Sequence, residues 1–114
     1  MEENSVDSIM AVLEKWAAEK RPIDPATYLE AAMKLAALVG NEADTLFDME
    51  QKVAKMRVEL LQNGMTAAAT KMHIEATDEY KLARKQRAKI DRVQENIRLA
   101  KARSRLASDE MRNQ

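Results

Sequence analysis

The sequence contains no cysteine, two glycines, two prolines, and few aromatic residues: one tryptophan, two tyrosines and one phenylalanine. Without cysteine a disulfide or a thiolate metal site is impossible, and a reducing compartment, the cytoplasm, is expected. The scarcity of glycine excludes glycine-rich phosphate loops. Strong helix formers such as alanine, leucine, methionine, glutamate and lysine make up most of the chain. This composition predicts an all-α protein.

Long apolar runs are also absent. No window approaches the roughly 18 apolar residues that a membrane helix needs, and the acidic start MEENSVDSIM lacks the pattern of a secretory signal. A chain of 114 residues is typical of one domain. We therefore expect a single soluble intracellular domain over residues 1–114 that does not bind a membrane.

The spacing of apolar residues and caps predicts three helices. They cover residues 5–20, 25–62 and 66–111. Ser5 or Asp7 can cap the first helix, which is expected to end near residues 20–22. Asp24 followed by Pro25 is an N-cap with proline at the first helical position, and it marks the start of the second helix.

The boundary between the second and third helices is marked by Asn63 and Gly64, which are typical of a left-handed C-cap, and by Thr66, which can cap the next helix. So short a connection makes the two helices antiparallel. Beyond it no glycine or proline occurs, so one uninterrupted helix is allowed. Thr77 and Asp78 are its weakest point because both side chains compete for backbone hydrogen bonds.

Apolar residues of the second helix recur at alternating spacings of four and three, as in a coiled-coil seam. The seam consists of Tyr28, Ala32, Leu35, Val39, Glu42, Leu46, Met49, Val53, Met56 and Leu60. Gly40 and Asn41 have poor helix propensity, which predicts a kink or a break there, with a kink preferred. The seam predicts a long antiparallel, coiled-coil-like helical hairpin with a short N-terminal helix packed on it. Its length also predicts a homo-oligomer.

Positive charge is concentrated in KLARKQRAKIDRVQENIRLAKARSR, residues 81–105, which we call the basic segment. It holds ten basic and two acidic side chains in a chain of zero net charge. A helical projection predicts a buried arc of Leu82, Ala83, Ile90, Val93, Ile97, Ala100, Ser104, Ala107 and Met111. One flank carries Lys81, Lys85, Lys89, Arg92 and Arg103, the other carries Arg87, Arg98, Lys101 and Arg105, and Arg84 lies on the outer surface.

Two explanations compete for this charge. Basic residues beside a coiled-coil stripe commonly pair with acids of the facing helix, here Glu42, Asp44, Asp48, Glu50 and Glu59. Five acids cannot neutralise ten bases, so the surplus favours the phosphates of a nucleic acid. Tyr80 is the one aromatic residue beside the segment that could stack on a base. The predicted nucleic-acid site is Tyr80 with the nine bases of the two flanks.

No catalytic arrangement emerges. His73 projects away from the apolar arc and is interpreted as a surface residue. Glu75 and Asp78 have the one-turn spacing of a Mg²⁺-binding carboxylate pair, but no second pair accompanies them, so they are interpreted as surface acids. We expect no enzymatic activity, no cofactor and no metal.

The stretches IDPATYLEAAMKLAAL and TDEYKLARKQRAKIDRVQENIR resemble small helical proteins of phage replication and recombination modules, loosely the UvsY-type recombination mediators. The resemblance spans residues 23–105 in order and spacing. It implies an oligomeric DNA-binding protein of the host cytoplasm that binds single-stranded DNA through the basic segment and assists a recombinase or another replication protein. The alternative is a coiled-coil adaptor or inhibitor whose basic end binds an acidic protein.

Overall fold

The structure, a computed structural model, describes residues 5–19 and 23–112. These residues form four helices and no strand: α1 (Val6–Glu19), α2 (Pro25–Gln62), α3 (Ala67–Glu75) and α4 (Asp78–Arg112). The long helix α2 packs antiparallel against α4. The predicted all-α helical hairpin with a short N-terminal helix is confirmed.

Three helix starts are fixed by the side chains that the sequence indicated. Ser5 Oγ accepts a hydrogen bond from the Ser8 amide at 3.2 Å. Asp24 Oδ1 accepts one from the Ala26 amide at 3.4 Å, and Thr66 Oγ1 accepts one from the Ala69 amide at 3.2 Å. Each bond satisfies a backbone donor that has no partner inside its helix. The predicted end of the first helix near residues 20–22 lies outside the described residues.

Helix α2 ends as predicted at Gln62. Gly64 follows it with a φ of 91°, in the left-handed region that glycine tolerates best. The Gly64 amide donates to the Leu61 carbonyl oxygen, and the Met65 amide donates to the Leu60 carbonyl oxygen, both at 3.1 Å. This pair of bonds is a Schellman motif. It stops α2 and leads directly into the Thr66 cap.

The third predicted helix is divided at Thr77 into α3 and α4. The Thr77 hydroxyl donates to the Ile74 carbonyl oxygen at 2.6 Å and accepts from the Tyr80 amide at 3.3 Å. One hydroxyl thus ends α3 and caps α4. The Thr77 side chain competes with the backbone for hydrogen bonds, and this competition is the reason why the position was predicted to be weak. Helix α2, in contrast, continues without a break through Gly40 and Asn41.

The chain forms two compact units, one within residues 1–40 and 91–114 and the other within residues 41–90. In the first unit α1 packs on parts of α2 and α4. The buried core there consists of Val6, Ile9, Met10, Leu13, Tyr28, Ala31, Ala32, Leu35, Val93 and Ala100. The rings of Trp16 and Tyr28 meet edge to face at 5.7 Å. The Ser104 hydroxyl donates to the Pro25 carbonyl oxygen at 2.9 Å, which joins the end of α4 to the start of α2.

The second unit has a smaller core in which α3 contributes Ile74, α2 contributes Val53 and α4 contributes Ala83. Partly buried side chains pack around it: Met49, Met56, Leu60 and Tyr80. All ten predicted seam residues of α2 are buried or partly buried. The seam is therefore confirmed as the inner face of α2.

The predicted buried arc of α4 is wrong at two positions, Leu82 and Met111, whose exposed fractions are 52% and 63%. In the second unit Ala83 of α4 is buried in the core. The part of the α4 surface that α2 covers is narrower than the predicted arc. Met111 lies two turns beyond Ser104, which already contacts the first residue of α2. No part of α2 therefore remains for Met111 to pack against.

Candidate nucleic-acid interface

The basic segment lies entirely on α4, and three of its ten bases form ion pairs with described carboxylates. The pairs are Lys89 with Glu42 at 3.3 Å, Arg87 with Glu50 at 2.9 Å, and Arg98 with Glu95 at 2.5 Å. The other seven bases have no carboxylate partner among the described residues: Lys81, Arg84, Lys85, Arg92, Lys101, Arg103 and Arg105. Most of the positive charge is therefore not neutralised within this part of the chain.

The pair between Arg98 and Glu95 lies along α4 itself and is exposed to solvent. The hydrogen bond from Arg98 holds the pKa of Glu95 below its ordinary value, and the same bond raises the pKa of Arg98. Exposed pairs at this spacing contribute little to stability. This pair offsets the charge of Arg98 on one flank of α4 and leaves the other flank unchanged.

Glu42, the one charged seam residue, meets two partners on α4 inside the second unit. The Gln86 side-chain nitrogen donates to the Glu42 carboxylate oxygen Oε2 at 2.7 Å, and Lys89 Nζ lies 3.3 Å from Oε1. The hydrogen bond from Gln86, with a further contribution from Lys89, lowers the pKa of Glu42 against the opposing effect of burial. Lys89 therefore forms a partly buried structural pair and adds less to the exposed charge than the fully exposed bases do.

A groove of about 690 Å³ lies within the second unit, between α2 and α4. Its lining includes the buried side chains of Val53 and Ala83 together with the aromatic ring of Tyr80. Three guanidinium groups also line it: Arg57 from α2, and Arg84 and Arg87 from α4. The groove therefore combines an apolar floor, one aromatic ring and cations from two helices.

Tyr80 and Arg84 lie one turn apart on α4. The Arg84 guanidinium carbon lies 6.0 Å from the centre of the Tyr80 ring. That distance is within the range of a cation–π contact. Arg84 and Arg57 have no ion-pair partner among the described residues, whereas Arg87 is held by Glu50. Two of the three guanidinium groups thus remain available to an anion in the groove.

Arg57 was not among the residues predicted from the sequence. It follows Glu50 by seven residues, so both lie on the same face of α2 two turns apart. Glu50 was expected to face the basic helix. The spacing of seven residues between Glu50 and Arg57 therefore indicated that Arg57 also lies beside that helix.

In the first unit the remaining bases occupy both flanks of α4. Arg92, Lys101 and Arg105 are exposed, and Arg103 is partly buried. The nearby Asn96 side chain donates to the Arg92 carbonyl oxygen at 2.9 Å and lies 3.6 Å from the sulfur of Met10 on α1. That contact anchors this part of α4 to α1, and Arg92, Lys101 and Arg105 remain exposed.

The residues considered for other chemistry lie at the surface. His73, Glu75 and Asp78 are all exposed. Across residues 5–19 and 23–112 there is no group of three or more histidine, aspartate or glutamate side chains placed to hold a metal ion. Among the described helices, none combines the length and apolar character needed to cross a membrane.

Comparison of the chain with protein-family models, curated proteins and solved structures gave no match. The resemblance to phage recombination mediators therefore stays a prediction.

Proposed function

We propose that this protein is a non-enzymatic accessory protein that binds the backbone of a nucleic acid through α4. The observation that carries the proposal is the set of seven bases of the basic segment that have no carboxylate partner among the described residues. Phosphate contacts require positive charge with flexible reach and little fixed geometry. Exposed lysine and arginine side chains along α4 meet that requirement.

Internal pairing accounts for only a small part of this charge. Of the five acids on α2 that could neutralise α4, Glu42 and Glu50 form ion pairs with it. The exposed acids Asp44, Asp48 and Glu59 form no ion pair within the described chain. The competing explanation, in which the basic segment serves only to hold the hairpin together, therefore leaves most of the bases without a role.

The groove of the second unit supports single-stranded nucleic acid over a duplex. Binders of single strands stack bases on aromatic side chains and hold the backbone with cations. Tyr80 provides the ring. Arg57 and Arg84, which have no ion-pair partner among the described residues, provide guanidinium groups in the same groove. This choice agrees with the resemblance to recombination mediators, which implies a recombinase or another replication protein as a further partner.

Fluorescence anisotropy with labelled single-stranded and duplex oligonucleotides tests the proposal. We expect binding at about 50 mM salt that weakens steeply at about 200 mM, because each phosphate contact releases a bound counterion. The single strand is expected to bind more tightly than the duplex. Absence of binding to either oligonucleotide at the lower salt concentration would reject the proposal and favour an adaptor that binds an acidic protein.

A further inference from the structure

Helix α2 carries a second set of apolar side chains, and this set is exposed. Within residues 41–62 we call it the outer stripe, and it consists of Ala43, Phe47, Ala54, Val58 and Leu61. The exposed fractions of its three large members, Phe47, Val58 and Leu61, are 61%, 52% and 45%. Exposed apolar groups that lie together on one face mark an interaction surface more often than isolated ones do.

Four of the five residues of the outer stripe follow a seam residue by one position. Leu46 and Val53 of the seam precede Phe47 and Ala54, so the stripe lies about 100° around the helix from the inner face. The spacings of four, seven, four and three residues follow a heptad pattern of their own. A repeat of that kind matches the surface of another helix better than it matches a flat or irregular partner.

Four of the charged residues beside the stripe form two blocks of opposite sign. Asp44 and Asp48 lie toward its start, and Lys52 and Lys55 lie toward its end. All four are exposed, and none has an ion-pair partner among the described residues. Asp44 and Lys55 are eleven residues apart, about three turns, and so lie on the same flank of the stripe.

This arrangement is complementary to itself when its direction is reversed. In antiparallel helix pairs related by a two-fold axis, each flank faces the same flank of the other helix. With the axis near Glu50, Asp44 and Asp48 of one copy face Lys55 and Lys52 of the other. The same register places the large Phe47 against the small Ala54.

We propose that a second copy of this chain binds the outer stripe, with the two α2 helices antiparallel and a two-fold axis near Glu50. Such an isologous contact uses one patch twice, as most soluble homodimers do. Parallel pairing lacks this complementarity, because it sets Phe47 beside Phe47 and brings acids to the same level as acids. The inference goes beyond nucleic-acid binding and does not depend on it.

Charge exchange tests the contact and its direction together. We expect the parent protein to be a dimer by sedimentation equilibrium. The variant Asp44→Lys/Asp48→Lys and the variant Lys52→Asp/Lys55→Asp should each be monomeric, since each gives positions 44, 48, 52 and 55 one sign. An equimolar mixture of the two variants should restore a dimer, which circular dichroism should show to be as helical as the parent.

A monomeric parent protein, or two variants that both remain dimeric, would overturn the proposal. So would a mixture of folded variants that fails to associate. These outcomes are measured without nucleic acid, so they are independent of the anisotropy result.

Cross-linking gives a second test that does not depend on charge. The chain has no cysteine, so single-cysteine variants are free of background. A mixture of Phe47→Cys and Ala54→Cys should oxidise to a disulfide-linked dimer. Phe47→Cys alone should not, because antiparallel pairing separates its two copies by about 10 Å along the helix, beyond disulfide reach. Cross-linking of Phe47→Cys with itself and not in the mixture would contradict the antiparallel contact.

Discussion

The side-chain amide of Gln86 on α4 donates hydrogen bonds to two oxygens of Glu42 on α2, the carbonyl oxygen at 2.9 Å and the carboxylate oxygen Oε2 at 2.7 Å. Lys89 completes the contact with its ion pair. A charged residue in an apolar seam is costly unless its polar atoms find partners. Gln86 therefore explains how the seam includes Glu42 without a break in α2.

Removal of the Gln86 amide should raise the pKa of Glu42 and destabilise the fold. In Gln86→Ala we expect the free energy of unfolding at neutral pH to fall by about 1–2 kcal/mol, because a hydrogen bond to a charged group is lost. The exposed Gln94→Ala on the same helix should change it little. Urea unfolding measures both values, and an NMR titration follows the Glu42 carboxyl group.

The direction of the pH dependence follows from the lowered pKa of folded Glu42. The contribution of this contact is fully present above the pKa of the unfolded carboxyl group and is lost as the pH falls through the folded value. Gln86→Ala and the parent protein should therefore become more alike in stability on acidification. A difference that stays constant down to about pH 2 would contradict this account of Glu42.

The core of the first unit should be sensitive to the loss of Leu35, which is fully buried. Leu35→Ala should lower the free energy of unfolding by about 2–5 kcal/mol through lost burial and a cavity. Met33→Ala, two residues away with an exposed fraction of 64%, is the matched control and should have an effect near zero. Thermal and urea unfolding followed by circular dichroism compare the two. Equal effects would show that the inner face of α2 is assigned incorrectly.

The Thr77 hydroxyl should stabilise the boundary between α3 and α4. Thr77→Ala removes the cap of α4 and is expected to cost about 1 kcal/mol. Thr45 provides the control, because its hydroxyl donates to the Asn41 carbonyl oxygen inside α2 and caps nothing. Thr45→Ala should be neutral or slightly stabilising, since alanine has the higher helix propensity. If both variants lose the same stability in urea unfolding, the cap has no special role.

Thr70 on α3 is 2% exposed, and its hydroxyl has no hydrogen-bond partner among the described residues. A buried polar group without a partner is unfavourable, so Thr70→Val should raise the free energy of unfolding by about 1 kcal/mol. Thr70→Ser keeps the hydroxyl and loses a methyl group, and it should lower stability. A destabilised valine variant in urea unfolding would show that the hydroxyl has a bonding partner in solution.

The sequence predicted the fold well because its signals were local. Caps at Ser5, Asp24 and Thr66, the left-handed Gly64 and the seam of α2 each depend on a few neighbouring residues. The sequence indicated that Thr77 was a weak point of the predicted helix, but it did not show whether the helix divides there. The division depends on a single hydroxyl that ends one helix and caps the next. Leu82 was placed inside wrongly, since periodicity alone does not give the width of the strip that a facing helix covers.

The candidate interface was predicted less completely, because it depends on contacts between helices. Periodicity placed the bases on the flanks of α4, but it did not show that Glu42 and Glu50 pair with Lys89 and Arg87. It also did not bring Arg57 of α2 into the groove beside Tyr80. Such contacts depend on the axial register of α2 against α4. The seam pattern does not determine this register, because a shift of one helix by seven residues keeps the same apolar pattern.

Under the proposed function, positive charge at specific positions of α4 binds nucleic acid. Lys85→Glu and Lys71→Glu change the net charge by the same amount. Both lysines are exposed and have no ion-pair partner among the described residues. Only Lys85 belongs to the basic segment. Anisotropy with a labelled single strand over a series of salt concentrations should show about tenfold weaker binding and a salt slope reduced by about one for Lys85→Glu. Lys71→Glu should bind like the parent protein. Equal weakening by the two variants, or none by Lys85→Glu, would contradict the claim.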